Sequence, residues 1–519
     1  MHQAQEQSCS QTLRRVAPAR PSPRSVLGWL PFFWQHVLFP GASTPADTSP
    51  RWWIAFVVLA PAVLLYPCMS FYLFEPDEGR YAQIPREMLQ RGDWLVPYLQ
   101  GEPYLDKPPL FYWLVMASYA LFGFHDWAAR LVPALAVHAT ILASFFFARR
   151  ALGTHAAFWG ALVLMFAPGF LAGRLLILDG LLTLWVALAL CACSRALHGA
   201  VLHRGWWLLT SLACALGILT KGPIALILLV PPVWLHLRLT NAPVRLGWRA
   251  WLCLAAVVAI VNVPWYVAVS LREPRFAAYF FWEHNVLRFL QPFDHERPVW
   301  YFVPILFAGF LPAVFLGAPF VRFLLSADPA IAARRPPFLG YVLLAGLWCI
   351  GFFSFSGSKL PTYILPAFPP LALALGHFLA HSAWHAWRWT KPLAFCWFGV
   401  LVAMHYAGVP WLAHERSPMK HACAVTAYCS DPAMPVLCFP RNLDSVAFYL
   451  GRSDLESYRS KEIPQVLEKL KEEPRTVVLF AHRNSLKTLE RNLPPSLRLS
   501  AATKLGLCDM AVVERVSGK

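Results

Sequence analysis

Long apolar runs broken by short polar segments fill most of the chain between residues 52 and 411. They lie near 52–74, 128–148, 156–173, 181–195, 205–219, 223–238, 249–270, 300–321, 338–356, 361–380 and 392–411. Most approach the ~20 residues that carry a helix across hydrocarbon, which predicts a polytopic α-helical membrane protein of about 11 transmembrane helices. A further run, Leu110 to Phe124, is short, rich in Tyr, Trp and Phe, and follows Pro108 and Pro109. Loop charge decides its place. If it does not cross, alternate loops carry Arg149 and Arg150, then Arg195 and Arg204, then Arg238, Arg245 and Arg249, then Arg322, Arg334 and Arg335, then Arg388 and Lys391. That is the arginine and lysine excess of cytoplasmic loops. Counting the run as a span would invert every later loop. It is therefore expected as a juxtamembrane or re-entrant helix within a first outer loop, 75–127. The same reckoning places Arg174 to Asp179, Lys221, 271–299 and Ser356 to Lys359 on that outer face.

From residue 412 the pattern changes. MPVLCF (434–439) and TVVLFA (476–481) read as buried strands, and IPQVLEKLKEE (463–473) and NSLKTLERNL (484–493) as amphipathic helices. Residues 412–519 are thus expected to form a small C-terminal α/β domain on the outer side, open to roles in binding acceptor, steadying the loops or recruiting a partner. Its Cys423, Cys429, Cys438 and Cys508 would meet an oxidising compartment, where one or two disulfides are expected with their pairing open. Residues 1–51 carry Arg14, Arg15, Arg20 and Arg24 before an apolar stretch, Leu27 to Phe39, too brief to span, and no A-x-A cleavage site follows. They are expected as a basic cytoplasmic tail.

Composition narrows the class. The chain is 57% hydrophobic and 14% charged, far from the roughly 25% charged residues of a soluble domain. A net charge of +17 could suit nucleic acid, but the cations sit in short loops between apolar runs. They set topology and attract anionic lipid, and no nucleic-acid partner is expected. HSAWHAWRWT (381–390) reads as an interfacial aromatic anchor and not as a haem or metal motif.

Against this background, EPDEGRYAQIPREML (75–89) concentrates Asp77, Glu78 and Arg80 directly after an apolar run. Local capping explains part of it: Asp77 and Glu78 favour a helix N-terminus, and Pro85 starts a second helix. Other outer segments hold solitary charges against apolar flanks. These are Asp106 and Lys107 in YLDKPPLFYW, Asp179 in LLILDGLL, Lys221 in ILTKGPIAL, Glu283, His284 and Arg288 in FFWEHNVLRFL, and Lys359 in SGSKLPTYILP. Ionisable groups at such places are costly and face a cavity or a polar partner. Carboxylates ringed by cations suit a phosphorylated, lipid-borne substrate: the cations hold phosphate, and a carboxylate addresses a sugar hydroxyl, an amine, a metal or an attacking oxygen.

EPDEGRYAQIPREML, RGDW, LDKPPLFYW, LDGLLTLW, LTKGPIAL, VPWYVAVSLREPRF, YFFWEHNVLRF, VPILFAGFLP and SKLPTYILPAFPPLAL, in this order over about residues 52–380, together resemble the bacterial aminoarabinose transferases that modify lipid A. Those belong with the protein O-mannosyltransferases among membrane glycosyltransferases that use polyprenyl-phosphate sugars. The resemblance implies that Asp77 is central to catalysis, with Asp179 a second functional acid and Glu78 beside them. It implies that Lys107 and Arg288 hold the donor phosphate. Tyr81, Tyr104 and Tyr363 would line the cavity, with Lys221, Arg80 and Lys359 as further binding residues. Two departures stand out. The Glu-His pair that precedes the phosphate arginine is displaced by one residue, as Glu283, His284, Asn285, which leaves open a divalent metal held by Asp106 and His284. Two spans that many of these transferases place after 392–411 are also expected to be missing.

The implied reaction moves an amino sugar, aminoarabinose first, from undecaprenyl phosphate to lipid A phosphate in the bacterial inner membrane, with site and C-terminal domain facing the periplasm and the chain acting as a monomer. A hexosamine as the sugar, a protein hydroxyl as acceptor, and a lipid-linked sugar transporter are the alternatives. The gathering of charge on one face and the lack of an evident inverted repeat count against transport.

Overall fold

The computed structural model describes residues 51–240, 244–290, 295–505 and 508–516; the expectation for the N-terminal tail lies outside them except at Arg51. Six helices among the described residues are long and apolar enough to cross a bilayer: Asp126–Leu152, Leu178–Ala196, Trp248–Arg272, Pro337–Phe355, Pro361–Ala380 and Thr390–Arg416. Two bent pairs raise the number to eight if each is one span: Thr154–Phe166 with Pro168–Arg174, bent by 66°, and Val299–Gly309 with Ala313–Leu325, bent by 107°.

The structure thus gives fewer full-length spans than the eleven expected, and proline accounts for much of the difference. The first helix, Arg51–Leu65, stops ahead of Tyr66 and Pro67 and does not run on to 74, because a residue before proline is driven out of the helical region. Pro168 and Pro312 stand at the two bends, where a residue without an N–H breaks the ladder. Ile224–Leu239 is only 16 residues long and contains Pro231 and Pro232. Helices pack closely through small residues: a Cβ on Gly160 would lie 2.9 Å from the Leu373 side chain and 3.2 Å from its Cα, so this glycine lets two apolar helices meet.

The segment 75–127 contains two helices, Leu110–Phe122 and Asp77–Arg91. Leu110–Phe122 has 13 residues, about 20 Å of length against the ~30 Å of hydrocarbon. It buries Phe111, Tyr112, Val115, Met116 and Tyr119 against Tyr81, Ile84 and Met88 of Asp77–Arg91. Pro85 lies inside that second helix, which is continuous from Asp77 to Arg91, so the expected restart at Pro85 does not occur. An interior proline costs about 3 kcal/mol; burial of ten of the fifteen residues, Pro85 among them, offsets it.

The C-terminal region carries a five-stranded sheet in the order Glu456–Ser457, Val436–Phe439, Arg475–Phe480, Cys508–Arg515, Leu497–Leu505. The first three strands are parallel and the last two antiparallel. Strand alternation divides its residues between two cores. Leu437, Phe439, Val478, Phe480, Ala511 and Val513 pack with Val466, Leu470 and Leu489 of the helices Ile463–Glu472 and Arg483–Asn492. Val436, Cys438, Val477, Leu479, Met510 and Val512 pack with Val446 and Ala447 of the helix Asp444–Leu450. Cys429, Cys438 and Cys508 are buried in this second core as free thiols, and Cys423 is exposed and free. The disulfides expected from the compartment argument are therefore not formed; these cysteines pack as small apolar residues.

Candidate active site

The helix Asp77–Arg91 follows from its ends. Asp77 and Glu78 occupy the first turn and Arg91 the last, each placed to favour the backbone dipole. Gly92, at φ +67, closes the helix, its N–H bonded to the Leu89 carbonyl while Asp93 N–H reaches Met88.

Glu78 and Asp77, adjacent in sequence, have opposite surroundings. Glu78 is 2% exposed, and both its oxygens accept from Arg130, at 2.9 and 2.6 Å. Its carboxylate also accepts the backbone N–H groups of Leu176 and Phe74. Arg130 in turn donates to the carbonyls of Met69, Phe71 and Tyr72. Burial opposes ionisation of Glu78, but Arg130 and the two backbone donors hold it below the usual carboxylate range. With every partner filled, Glu78 anchors four chain segments and has no lone pair left for substrate. The Asp77 side chain is 47% exposed, with Arg80 at 3.9 Å, and is open to a ligand.

The solitary charges read from the sequence converge around it. Burial first, then the negative charges of Asp77, Asp179 and Asp106, raise the buried Tyr81 phenol, with Arg80 opposing. Arg80 sits 5.9 Å from the centre of the Tyr104 ring. Asp179, at the start of Leu178–Ala196, accepts from Lys221 at 2.5 Å and from the Thr362 hydroxyl at 3.2 Å. The Lys221 ammonium lies 4.6 Å from the centre of the Tyr363 ring. Asp106 accepts from the Tyr279 hydroxyl at 2.6 Å; burial opposes its ionisation, yet Lys107 and His284 hold it below its ordinary value. Burial pulls the Lys107 ammonium down to about 7; Asp106 resists, and Lys221 and Arg288 add to the fall. Lys107, Lys221 and Arg288 thus form a cationic cluster in which one lysine is poised to gain a proton when an anion arrives. A cleft of about 500 Å³ opens on Tyr104 and Asp106, walled by Arg275, Tyr279 and Glu283. Lys359 is placed differently: it is buried, and its ammonium donates to the carbonyls of Ser356 and Arg297.

Asp106 and His284 are not arranged around a common metal position in this structure. His284 Nε2 accepts from Lys107 Nζ at 2.5 Å, so a lysine stands where a cation would bind. Burial, with Lys107 next, drives this imidazole down to about 3. Among the described residues no group of three His, Cys, Asp or Glu side chains is arranged to hold a metal ion.

Sequence reading missed the C-terminal domain's grip on this helix. Ser445 N–H donates to Glu75 Oε1 at 2.6 Å, and Gln83 Nε2 to the Arg452 carbonyl at 2.7 Å. Arg86 donates to the carbonyls of Ala447 and Phe448, and Gln100 bridges Asp444 and Leu455. A Cβ on Gly79 would lie 2.6 Å from Ser445 N, so the domain is seated on helix backbone. The partners lie some 360 residues apart, beyond any local pattern. Arg130 was also missed, although a lone arginine in DWAARLVPAL was visible.

Comparisons with known proteins agree with these motifs. The family model described as dolichyl-phosphate-mannose-protein mannosyltransferase matches residues 51–280. The undecaprenyl phosphate-alpha-4-amino-4-deoxy-L-arabinose arabinosyl transferase 1 of Pseudomonas fluorescens is 35% identical over 344 residues, 64% of this chain and 58% of the relative. The corresponding transferase of Serratia proteamaculans is 36% identical over 340 residues, 62% of this chain and 58% of that one. The chain therefore matches less than two thirds of the length of these curated relatives. The crystal structure of ArnT from Cupriavidus metallidurans bound to undecaprenyl phosphate shares the fold, with TM-score 0.70 and 22% identity over 90% of this chain and 98% of that one. The fold match runs along nearly all of that chain. The chain resembles the undecaprenyl-phosphate aminoarabinose transferases, and its residues 51–280 match the mannosyltransferase family model, as its motifs implied.

Proposed function

We propose that this chain is an integral-membrane glycosyltransferase that moves aminoarabinose from undecaprenyl phosphate to phosphate groups of lipid A, at the periplasmic face of the bacterial inner membrane. The observation that carries the reading is the open carboxylate of Asp77, which acts on Tyr81 together with Asp106 and Asp179, while the cations Lys107, Lys221 and Arg288 gather about Asp106 and Asp179. The names of its relatives supply donor and sugar.

In this reaction the bond from the anomeric carbon to the donor phosphate oxygen breaks, and its electron pair stays on the phosphate. Lys107 and Arg288 neutralise the charge that develops there. Lys107, lowered to about 7, is only about half protonated at neutral pH, and an anionic phosphate drives it to the ammonium. An acceptor phosphate oxygen is already ionised at pH 7 and forms the new bond without a strong base. Asp77 then orients the sugar's ammonium group and stabilises positive charge at the anomeric carbon. Asp179, held by Lys221 and Thr362, fixes that lysine at the Tyr363 wall and shapes the donor side.

The test is mass spectrometry of lipid A from cells lacking the chain, complemented with native protein or with Asp77→Asn. A pentosamine adduct on lipid A phosphate restored by native protein alone is expected. A hexosamine adduct would keep the chemistry and change the sugar. Unmodified lipid A in both complemented strains, with both proteins in the membrane, would refute the assignment.

A further inference from the structure

A second polar site lies at the opposite end of the bundle. Asp126, Asp179 and Lys221 mark the helix ends nearest the candidate active site, while Arg149, Arg150, Arg195 and Arg238 stand near the other ends of these helices or the next. At 1.5 Å per residue, the 27-residue helix Asp126–Leu152 separates the two ends by roughly 40 Å.

Two adjoining cavities open there. One, of about 490 Å³, is lined by Arg149, Arg150, Arg195, Thr154 and the aromatic wall of Phe147 and Trp206. The other, of about 410 Å³, is lined by Arg150, Arg195, His198, His236 and Tyr341. Arg150 and Arg195 belong to both. Neither lining contains a carboxylate, and among the described residues none of the three arginines makes an ion pair with one. The Arg195 Nε is buried without a hydrogen-bond partner. Both volumes fall within the roughly 300–1,000 Å³ of small-ligand sites.

Topology-setting arginines need only be present in a loop. They need not surround a common cavity whose lining holds no carboxylate. Guanidinium groups meet phosphate through paired, planar donors, and basic pockets between membrane helices suit anionic headgroups.

We propose that this double cleft binds the phosphate-bearing headgroup of an anionic phospholipid, with Arg150 and Arg195 shared between its two lobes. The two-lobed shape favours a lipid with two phosphodiesters over one with a single phosphate. The proposal does not depend on the transferase reading, because the site lies at the far end of the helices.

The test is native mass spectrometry of the purified full chain in detergent, titrated separately with cardiolipin, phosphatidylglycerol, phosphatidylcholine and inorganic pyrophosphate. Native protein is expected to bind cardiolipin most tightly and phosphatidylcholine least. The double variant Arg150→Lys/Arg195→Lys keeps the topology charge and loses the paired donors; its cardiolipin affinity is expected to fall about tenfold or more. Equal binding of cardiolipin and phosphatidylcholine by native protein would overturn the proposal without reference to any variant. So would a lysine variant that binds cardiolipin like native protein. Saturation by pyrophosphate with no cardiolipin preference would assign the cleft to a soluble phosphate compound and overturn the lipid.

Discussion

Gly79→Ala separates two opposed effects at the junction between the Asp77 helix and the C-terminal domain. Alanine is favoured over glycine inside a helix by about 1 kcal/mol, so with open space around it the substitution would stabilise. The space is not open. The added Cβ would lie 2.6 Å from Ser445 N, 2.9 Å from Glu75 Oε1 and 3.2 Å from the Asp444 carbonyl carbon, against ordinary contacts of about 3.5–4.0 Å. Two of the three atoms are backbone, so relief requires the helix and the domain to part by about 1 Å. Overpacking of this kind typically costs about 1–3 kcal/mol, which exceeds or cancels the propensity gain. Catalysis is more sensitive, since a 1 Å misplacement can cost roughly 100-fold in rate, and the displaced turn begins at Asp77. The expected result is a transfer rate 10- to 100-fold lower, with undecaprenyl phosphate affinity within about twofold of native, because Lys107 and Arg288 lie on other segments. Single-turnover transfer and donor titration with purified protein measure both, beside a thermal unfolding curve. A native rate with a raised unfolding temperature would show that the domain does not hold the helix.

Two titrations follow from the same region. Lys107 sits near pKa 7 before donor binds, and an anionic phosphate favours its protonated form. Undecaprenyl phosphate affinity should therefore be full below about pH 7 and weaken by up to about tenfold per unit above it, while Lys107→Arg flattens the profile; donor titrations from pH 6 to 9 check this. At the junction, burial and then Asp444 raise the Glu75 carboxyl from 4.5 to about 8, with Ser445 and Arg441 opposing. Burial raises Asp444 from 3.8 to about 6, with Arg80, Gln100 and Asn442 opposing and Glu87 adding to the rise. Both groups hold a proton in the docked state that a free chain would release. Docking is therefore strongest below the unperturbed carboxylate values and weakens as pH rises through 6 toward 8. The protection factors of the Ala447 and Phe448 amides, corrected for base-catalysed intrinsic exchange, should fall over that range in native protein and change little in Glu75→Gln.

Much of the candidate site was legible because its chemistry is local. A charge such as Asp179 or Lys221 inside LLILDGLL or ILTKGPIAL needs a partner, and the two partner each other. The strands around Val436–Phe439 and Arg475–Phe480 showed as short apolar runs, and the helices Ile463–Glu472 and Arg483–Asn492 that follow them as amphipathic stretches. The antiparallel pair Leu497–Leu505 and Cys508–Arg515 was not foreseen; the edge strand buries little beyond its ends and alternates weakly in hydrophobicity. Glu78 was taken for a reacting group because its neighbour on the chain is Asp77, whereas its partner Arg130 is 52 residues away. Pro85 was read as a break because local geometry disfavours it, and burial against Leu110–Phe122 overrode that preference. The cysteines followed packing and not compartment.

The most direct measurement combines purified chain, undecaprenyl-phosphate aminoarabinose and lipid A in detergent, with products resolved by mass spectrometry. The expected result is lipid A that gains one aminopentose at a phosphate as free undecaprenyl phosphate appears in equal amount, and no product with Asp77→Asn that still binds undecaprenyl phosphate. Native-level product from Asp77→Asn, or undecaprenyl phosphate released by native protein with no sugar on lipid A, would contradict it.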